Sequence, residues 1–155
     1  MSDVTATISG VDDLLSKFKA LKQAATGKRL KTVLKAAALP MQNAAKENAP
    51  YRSGTLSRGI TLEDGPIDDY SAKVFISTSN IPYAAIQEFG GTIKPIKGKF
   101  LTWRDSSGKW HAATQVTIPP HPYLRPAFDT KRQTVIDEFI DIIRDMIQKA
   151  ATNGN

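Results

Sequence analysis

Few side chains in this 155-residue sequence could perform acid–base or metal chemistry, and none has a partner at the spacing that such chemistry needs. The two histidines, His111 and His121, are ten residues apart on different predicted elements, whereas zinc is held by three or four ligands. Ser53 lacks the Gly-x-Ser-x-Gly pattern of a hydrolase nucleophile. Gly90 and Gly91 are not followed by the Lys-Ser/Thr pair of a phosphate-binding loop. The sequence therefore favours a protein that is not an enzyme and has neither cofactor nor metal.

The overall composition is that of an ordinary globular protein, with 41% hydrophobic and 23% charged residues. The length favours a single domain over residues 1–155. The chain has no cysteine, which fits a protein made in a reducing cytoplasm. No apolar run is long enough to span a bilayer, and the N-terminal residues lack the pattern of a secretory signal. We therefore expect a protein of cytoplasmic origin without membrane contact.

The net charge of +6 is concentrated at the start of the chain. Residues 1–60 contain ten Lys or Arg against four Asp or Glu, and the remainder is neutral. One side of a predicted helix in this basic third carries four lysines: Lys28, Lys31, Lys35 and Lys46. Either their stems cover apolar surface on a solvated flank, or the ammonium groups make a passing contact with DNA or an acidic protein.

Hydrophobic periodicity predicts the elements of the first half of the chain. Apolar residues at helical spacing predict one helix over 11–27 and a second over 30–48. Short strands are predicted over 55–62 and 72–77. The Glu-Asp-Gly-Pro sequence at 63–66 predicts the turn between them.

The second half is predicted to contain a hairpin and a long helix. The arms of the hairpin cover 100–103 and 110–118, and we expect residues 91–117 to form a mobile arm. The prolines before Ala127 should prevent a regular helix from starting earlier.

The C-terminal helix has an apolar arc of roughly 160°, wider than the ordinary core-facing stripe of about 100°. Phe139 and Ile143 lie near the middle of this arc, so we expect them to be core residues. The surplus width indicates either deep burial within the domain or a flank that packs on a neighbouring protein. Residues 151–155 should be frayed. Together the elements predict an α+β domain in which two N-terminal helices and one long C-terminal helix pack on a small, mostly antiparallel sheet.

Three turn-rich segments carry a family resemblance. The first motif is APYRSGTL at 49–56, the second is YAAIQEFGG at 83–91, and the third is PHPYLRPA at 120–127. Their order and spacing resemble a family of phage virion proteins from the head-to-tail junction of long-tailed phages, known as tail-component, neck or tail-completion proteins. The link over 91–117 is longer than in many relatives, which leaves the tail type open.

The resemblance implies a structural virion protein of the neck or tail end, assembled in the host bacterial cytoplasm as a hexameric or dodecameric ring around the DNA channel. The implied partners are further copies of the chain, adjacent head-completion and tail-terminator or tail-tube proteins, and the genomic DNA in passing. Rigid turns that carry aromatic and Arg side chains suit such an interface. The expected assembly residues are Tyr83, Glu88, Phe89, Tyr123 and Arg125.

We further expect Glu88 of one subunit to pair with Arg125 of the next. Plain structural turns and a buried crossover into the last helix are the competing interpretations of these motifs. Two other functional classes stay open. A basic nucleic-acid-binding domain would show DNA affinity that falls steeply with salt, and a small hydrolase would show converging carboxylates or histidines in a deep pocket.

Overall fold

The computed structural model describes residues 15–19, 22, 25–78 and 81–152. About half of the predicted first helix and most of the predicted frayed tail lie outside these residues. The chain divides into two compact units. The first unit comprises Met1–Pro40, Leu62–Phe75 and Gln133–Asn155, and the second comprises Met41–Thr61 and Ile76–Arg132.

Besides a helical stretch at residues 15–19, the described part of the chain contains four helices. They are α1 (Gly27–Asn48), α2 (Thr55–Gly59), α3 (Ala84–Phe89) and α4 (Leu124–Thr152). The end of α1 agrees with the prediction, since the residue before Pro50 is pushed away from helical angles. None of the described helices combines the length and apolar character that a membrane span requires.

Six described strands form three two-stranded sheets. The strands are β1 (Thr61–Ile67), β2 (Ala72–Ser77), β3 (Gly91–Ile93), β4 (Leu101–Arg104), β5 (Trp110–Ala113) and β6 (Val116–Ile118). The strand pairs are β1–β2, β3–β6 and β4–β5, of which the last two have antiparallel registers. The predicted α+β class is confirmed, with the strands divided among small sheets.

The prediction for residues 55–66 is wrong in two places. Thr55–Gly59 is a helical turn, because Gly54 adopts a left-handed conformation (φ 70°) and its carbonyl accepts the N–H of Arg58 at 3.0 Å. The expected turn at 63–66 lies inside β1. The chain turns instead at Asp68, whose carboxylate accepts the N–H groups of Tyr70 at 2.9 Å and Ser71 at 2.7 Å.

The start of α4 also differs from the prediction. The helix begins at Leu124, three residues before Ala127. Pro126 is therefore its third residue, where the N–H group would have no intrahelical acceptor in any sequence. A proline at this position removes no helical hydrogen bond, so it does not delay the helix.

The core of the second unit is built largely from small side chains. The buried cluster consists of Ala44, Ala45, Ala49, Leu56, Ile60, Ile81, Ala84, Tyr123 and Ala127. Ile60 and Tyr123 are the largest fully buried side chains among the described residues. In the first unit, Val33 and Ala37 on α1 are buried. Alanine permits close approach of backbones, but it contributes little apolar area, so the few large side chains account for much of the burial.

The apolar stripe of α4 is less buried than expected. Phe139 and Ile143 are only half-buried, and Ala127 is the one buried residue of the helix. The prediction that Phe139 and Ile143 form the core is therefore wrong. The stripe leaves substantial isoleucine surface exposed on the first unit.

The hairpin formed by β4 and β5 has contacts of its own. The rings of Trp103 and His111 stack with their centroids 5.4 Å apart, and the Arg104 guanidinium lies 4.9 Å from the centroid of Trp110. In the turn, the carboxylate of Asp105 accepts hydrogen bonds from Ser107 and lies 2.7 Å from His111 Nε2. The Ser107 hydroxyl, followed by His111, lowers the pKa of Asp105 to about 2. The hairpin is thus locally ordered, and its mobility as an arm stays a prediction.

We predict that Ile60→Ala destabilises the protein by roughly 2–5 kcal/mol, because it opens a cavity at a fully buried position. The matched control is Ile67→Ala in β1, where the side chain is 45% exposed and the expected loss is about 1 kcal/mol or less. Urea unfolding followed by circular dichroism measures both free energies of unfolding. Equal losses in the two variants would contradict the assignment of the core.

Candidate functional site

The three motifs converge in the second unit. Ala49 and Leu56 of the first motif, Ala84 of the second, and Tyr123 and Ala127 of the third all belong to one buried cluster. Segments far apart in the sequence therefore share a single core. The motifs thus pack together rather than forming three independent loops.

The carboxylate of Glu88 connects the second motif to the third. Its Oε2 accepts the backbone N–H of Tyr123 at 2.7 Å and of Leu124 at 2.9 Å, and its Oε1 accepts that of Arg125 at 2.9 Å. These donors lie at the N-terminus of α4, where backbone N–H groups have no intrahelical partner and the helix dipole favours a negative charge. Glu88 therefore caps a helix that begins 36 residues later in the chain.

Backbone contacts reinforce this connection. The N–H of His121 donates to the carbonyl of Gln87 at 2.7 Å. Gly90 ends α3 with a φ of 69°, and a Cβ at this position would lie 2.9 Å from the backbone nitrogen of Pro120. Glycine is therefore required by both the conformation and the close approach.

The environment of Glu88 favours its charged form. Burial raises the pKa of this carboxyl, but the N–H groups of Leu124, Tyr123 and Arg125 together outweigh burial and bring the pKa below its ordinary value. For the neighbouring Tyr123 hydroxyl, burial raises the pKa. Both groups thus keep their usual charges near neutral pH, Glu88 ionised and Tyr123 neutral.

The structure divides the five expected assembly residues into two groups. Glu88 is 6% exposed and Tyr123 is 1% exposed, so the surface position that we expected for them is wrong. Both carboxylate oxygens of Glu88 accept backbone N–H groups of the same chain, and the expected pairing with Arg125 of another subunit stays a prediction. Tyr83, Phe89 and Arg125 are exposed, and their role in assembly stays a prediction.

A groove of about 600 Å³ lies between the first and second motifs. We call it the aromatic groove; its principal lining side chains are Tyr51, Arg52, Leu56, Tyr83 and Gln87. Tyr51, which is not among the residues predicted from the sequence, is the more exposed of the two rings at 84%.

The aromatic groove also has a cationic rim. A Cβ on Gly54 would lie 2.7 Å from Nη1 of Arg58 and 3.1 Å from the ring of Tyr51, so both side chains extend over this glycine. Arg52 lines the groove itself. Exposed aromatic rings beside guanidinium groups are the composition of a protein-binding surface.

The four lysines expected to contact DNA or an acidic partner do not form one free cluster. Lys31 lies 2.8 Å from a carboxylate oxygen of Asp64, and Lys35 pairs with the other oxygen. Hydrogen bonds from Lys31, and then from Lys35, lower the pKa of Asp64. Lys28 is exposed on the first unit, whereas Lys46 belongs to the second. The pairing with Asp64 weakens the nucleic-acid-binding alternative, and a DNA contact stays a prediction.

The described residues do not show the groups expected of the hydrolase alternative. They contain no group of three or more His, Asp and Glu that could hold a metal ion. His121 Nδ1 lies 3.0 Å from the carbonyl of Pro119, and His111 pairs with Asp105. Both imidazoles therefore have local structural partners.

Comparison with known proteins gives one match to a protein family. Residues 12–90, just over half of the chain, match the family described as "Bacteriophage HK97-gp10, putative tail-component". The match includes the first motif and nearly all of the second. No curated protein and no solved structure matches the chain.

We predict that Glu88→Gln lowers the free energy of unfolding by about 1.5–3 kcal/mol at pH 7, because an amide NH₂ would face a backbone donor. The folded-state pKa lies below the ordinary value of 4.5, so the carboxylate stabilises the fold above that pH. This stability is lost as the pH falls through the folded-state pKa. The difference in the free energy of unfolding between wild type and Glu88→Gln should therefore become smaller as the pH falls.

The control for this prediction is Glu47→Gln on the exposed face of α1, which should change stability by under about 0.5 kcal/mol. Thermal and urea unfolding at several pH values measure the free energy of unfolding of wild type and of both variants. If Glu88→Gln is as stable as wild type at pH 7, the cap does not have the role assigned to it.

Proposed function

The chain belongs to the HK97 gp10-like family of bacteriophage tail components, and from this we propose that it is a ring subunit at the neck or tail end. It is a structural, virion-associated component of the phage tail. In the proposal, the ring surrounds the DNA channel and is needed for tail completion or for joining the head to the tail. Six or twelve copies, assembled in the host cytoplasm, would close it.

The observation that carries the proposal is the second unit, in which the three motifs share one core and carry exposed aromatic side chains. Glu88 and the shared core fix the three motifs relative to one another. The surface of the same unit carries Tyr51, Tyr83 and Phe89, the last of which is 79% exposed. Rigid, exposed aromatic side chains lose little conformational entropy on binding, so they suit the interfaces of an assembly.

The remaining partners follow from the proposed position in the virion. A ring at the end of the tail would contact head-completion proteins on one side and tail-terminator or tail-tube proteins on the other. Lys28, exposed on the first unit, is a candidate for transient contact with the passing DNA.

A phage that lacks the gene tests the proposal. We expect filled heads and separate or incomplete tails by electron microscopy, and infectious particles after addition of the purified protein. The variant Phe89→Ala/Arg125→Ala should keep its melting temperature, because both side chains are exposed, and should reduce the titre at least about tenfold.

The control for the interface residues is Phe75→Ala, which removes an exposed aromatic ring of the first unit outside the motifs. This variant should complement as well as wild type. Normal infectious particles from the phage without the gene would contradict the proposed function. A full titre from the Phe89→Ala/Arg125→Ala variant would contradict the role of these two residues.

A further inference from the structure

The outer face of α4 carries an unusual row of exposed isoleucines. Ile136, Ile140 and Ile147 are each 46–48% exposed. Their spacing of four and seven residues places them in a single stripe along the helix. A continuous apolar row of this kind on a surface indicates a contact with another molecule.

An acidic row runs beside the isoleucines. Asp137, Asp141 and Asp145 recur every four residues and are all exposed. Residues at this spacing lie above one another on a helix, so the carboxylates form a second stripe. Asp141 is paired locally with Arg144 at 2.7 Å, but both side chains are more than half exposed, and such a pair is weak. We call the two rows together the isoleucine–aspartate face.

The aromatic groove of the second unit has the complementary character. Tyr51 and Tyr83 provide apolar rings, and Arg52 and Arg58 provide guanidinium groups. Within the part of the chain that the structure describes, no acidic side chain pairs with either arginine. Guanidinium groups match carboxylates in geometry as well as in charge.

We propose that the aromatic groove of one copy binds the isoleucine–aspartate face of a second copy. The isoleucines pack on the tyrosine rings, and the aspartates pair with the arginines. This inference rests on the proposed ring and identifies the two surfaces that join its subunits.

Two features make a second copy the fitting occupant. The surfaces match in both apolar and charged character, and every chain carries one of each. Contacts between unlike surfaces are heterologous, and they close into a ring when the rotation between neighbours allows it. Charge pairing across such a contact also suppresses wrong partners and fixes the register.

Charge reversal in the full-length protein tests the inference. One variant is Arg52→Glu/Arg58→Glu, which reverses the groove, and the other is Asp141→Arg/Asp145→Arg, which reverses the helix face. Each variant alone would bring like charges together, so it should weaken self-association at least about tenfold. Native mass spectrometry and sedimentation should then detect monomers. An equimolar mixture restores opposite charges at every junction and should assemble again.

The control is Lys94→Glu/Lys97→Glu, which makes the same change in net charge as the groove variant, on exposed lysines outside both surfaces. It should assemble as wild type does. Circular dichroism of each variant shows whether the protein is folded, so that a loss of self-association is not mistaken for a failure to fold. The variant Arg52→Ala/Arg58→Ala removes the two positive charges of the groove without reversing them.

The outcomes separate the inference from the proposed function. Wild type could assemble while the folded reversal variants assemble equally well, or the mixture of the two variants could stay monomeric. Either result would contradict the proposed contact between the two surfaces but not the proposed ring. If only the helix variant loses assembly, the helix binds elsewhere and the groove is not its partner. If wild type never self-associates although the phage requires it, the inference fails and the role in the tail remains.

Discussion

The hydrogen bonds from the start of α4 to the carboxylate of Glu88 are the interaction on which the second unit depends. Tyr123, Leu124 and Arg125 each donate a backbone N–H to it, and the first turn of α4 has no acidic residue of its own. Without Glu88, these N–H groups would lack acceptors at buried or partly buried positions, which is costly. The cap therefore holds the third motif on the second, and the shared core holds both on the first.

Because its core is small, the isolated chain buries only part of its large apolar side chains. Alanine predominates in the buried cluster, while many large apolar side chains are exposed, among them Phe89 and the isoleucines of α4. This distribution suits a phage tail component whose remaining burial is supplied by neighbouring molecules in the virion. The groove of the second unit and the part of α4 that belongs to the first unit would then provide unlike surfaces for one type of contact.

Much of the fold follows from local sequence patterns. Helical periodicity predicts α1 and most of α4, and turn residues predict the hairpin of β4 and β5, because these elements depend on nearby residues. The predicted second arm of the hairpin, over 110–118, is wrong beyond Ala113, because Val116–Ile118 pairs with β3. The helical turn at Thr55–Gly59 depends on the left-handed Gly54, and β1 extends through a Gly-Pro pair because Asp68 makes the reversal. The roles of Glu88 and Tyr123 depend on tertiary contacts. The one feature of the sequence that relates to the cap is a helix start without an acidic residue, which leaves its N–H groups open to an acceptor from another part of the chain.

A cryo-electron microscopy map of the tail end of the virion would test the account most directly. We expect a closed ring of this protein around the channel, with Glu88 capping α4 inside every subunit and exposed motif residues at the contacts between subunits. Absence of the protein from the virion, or copies that do not contact one another, would contradict it.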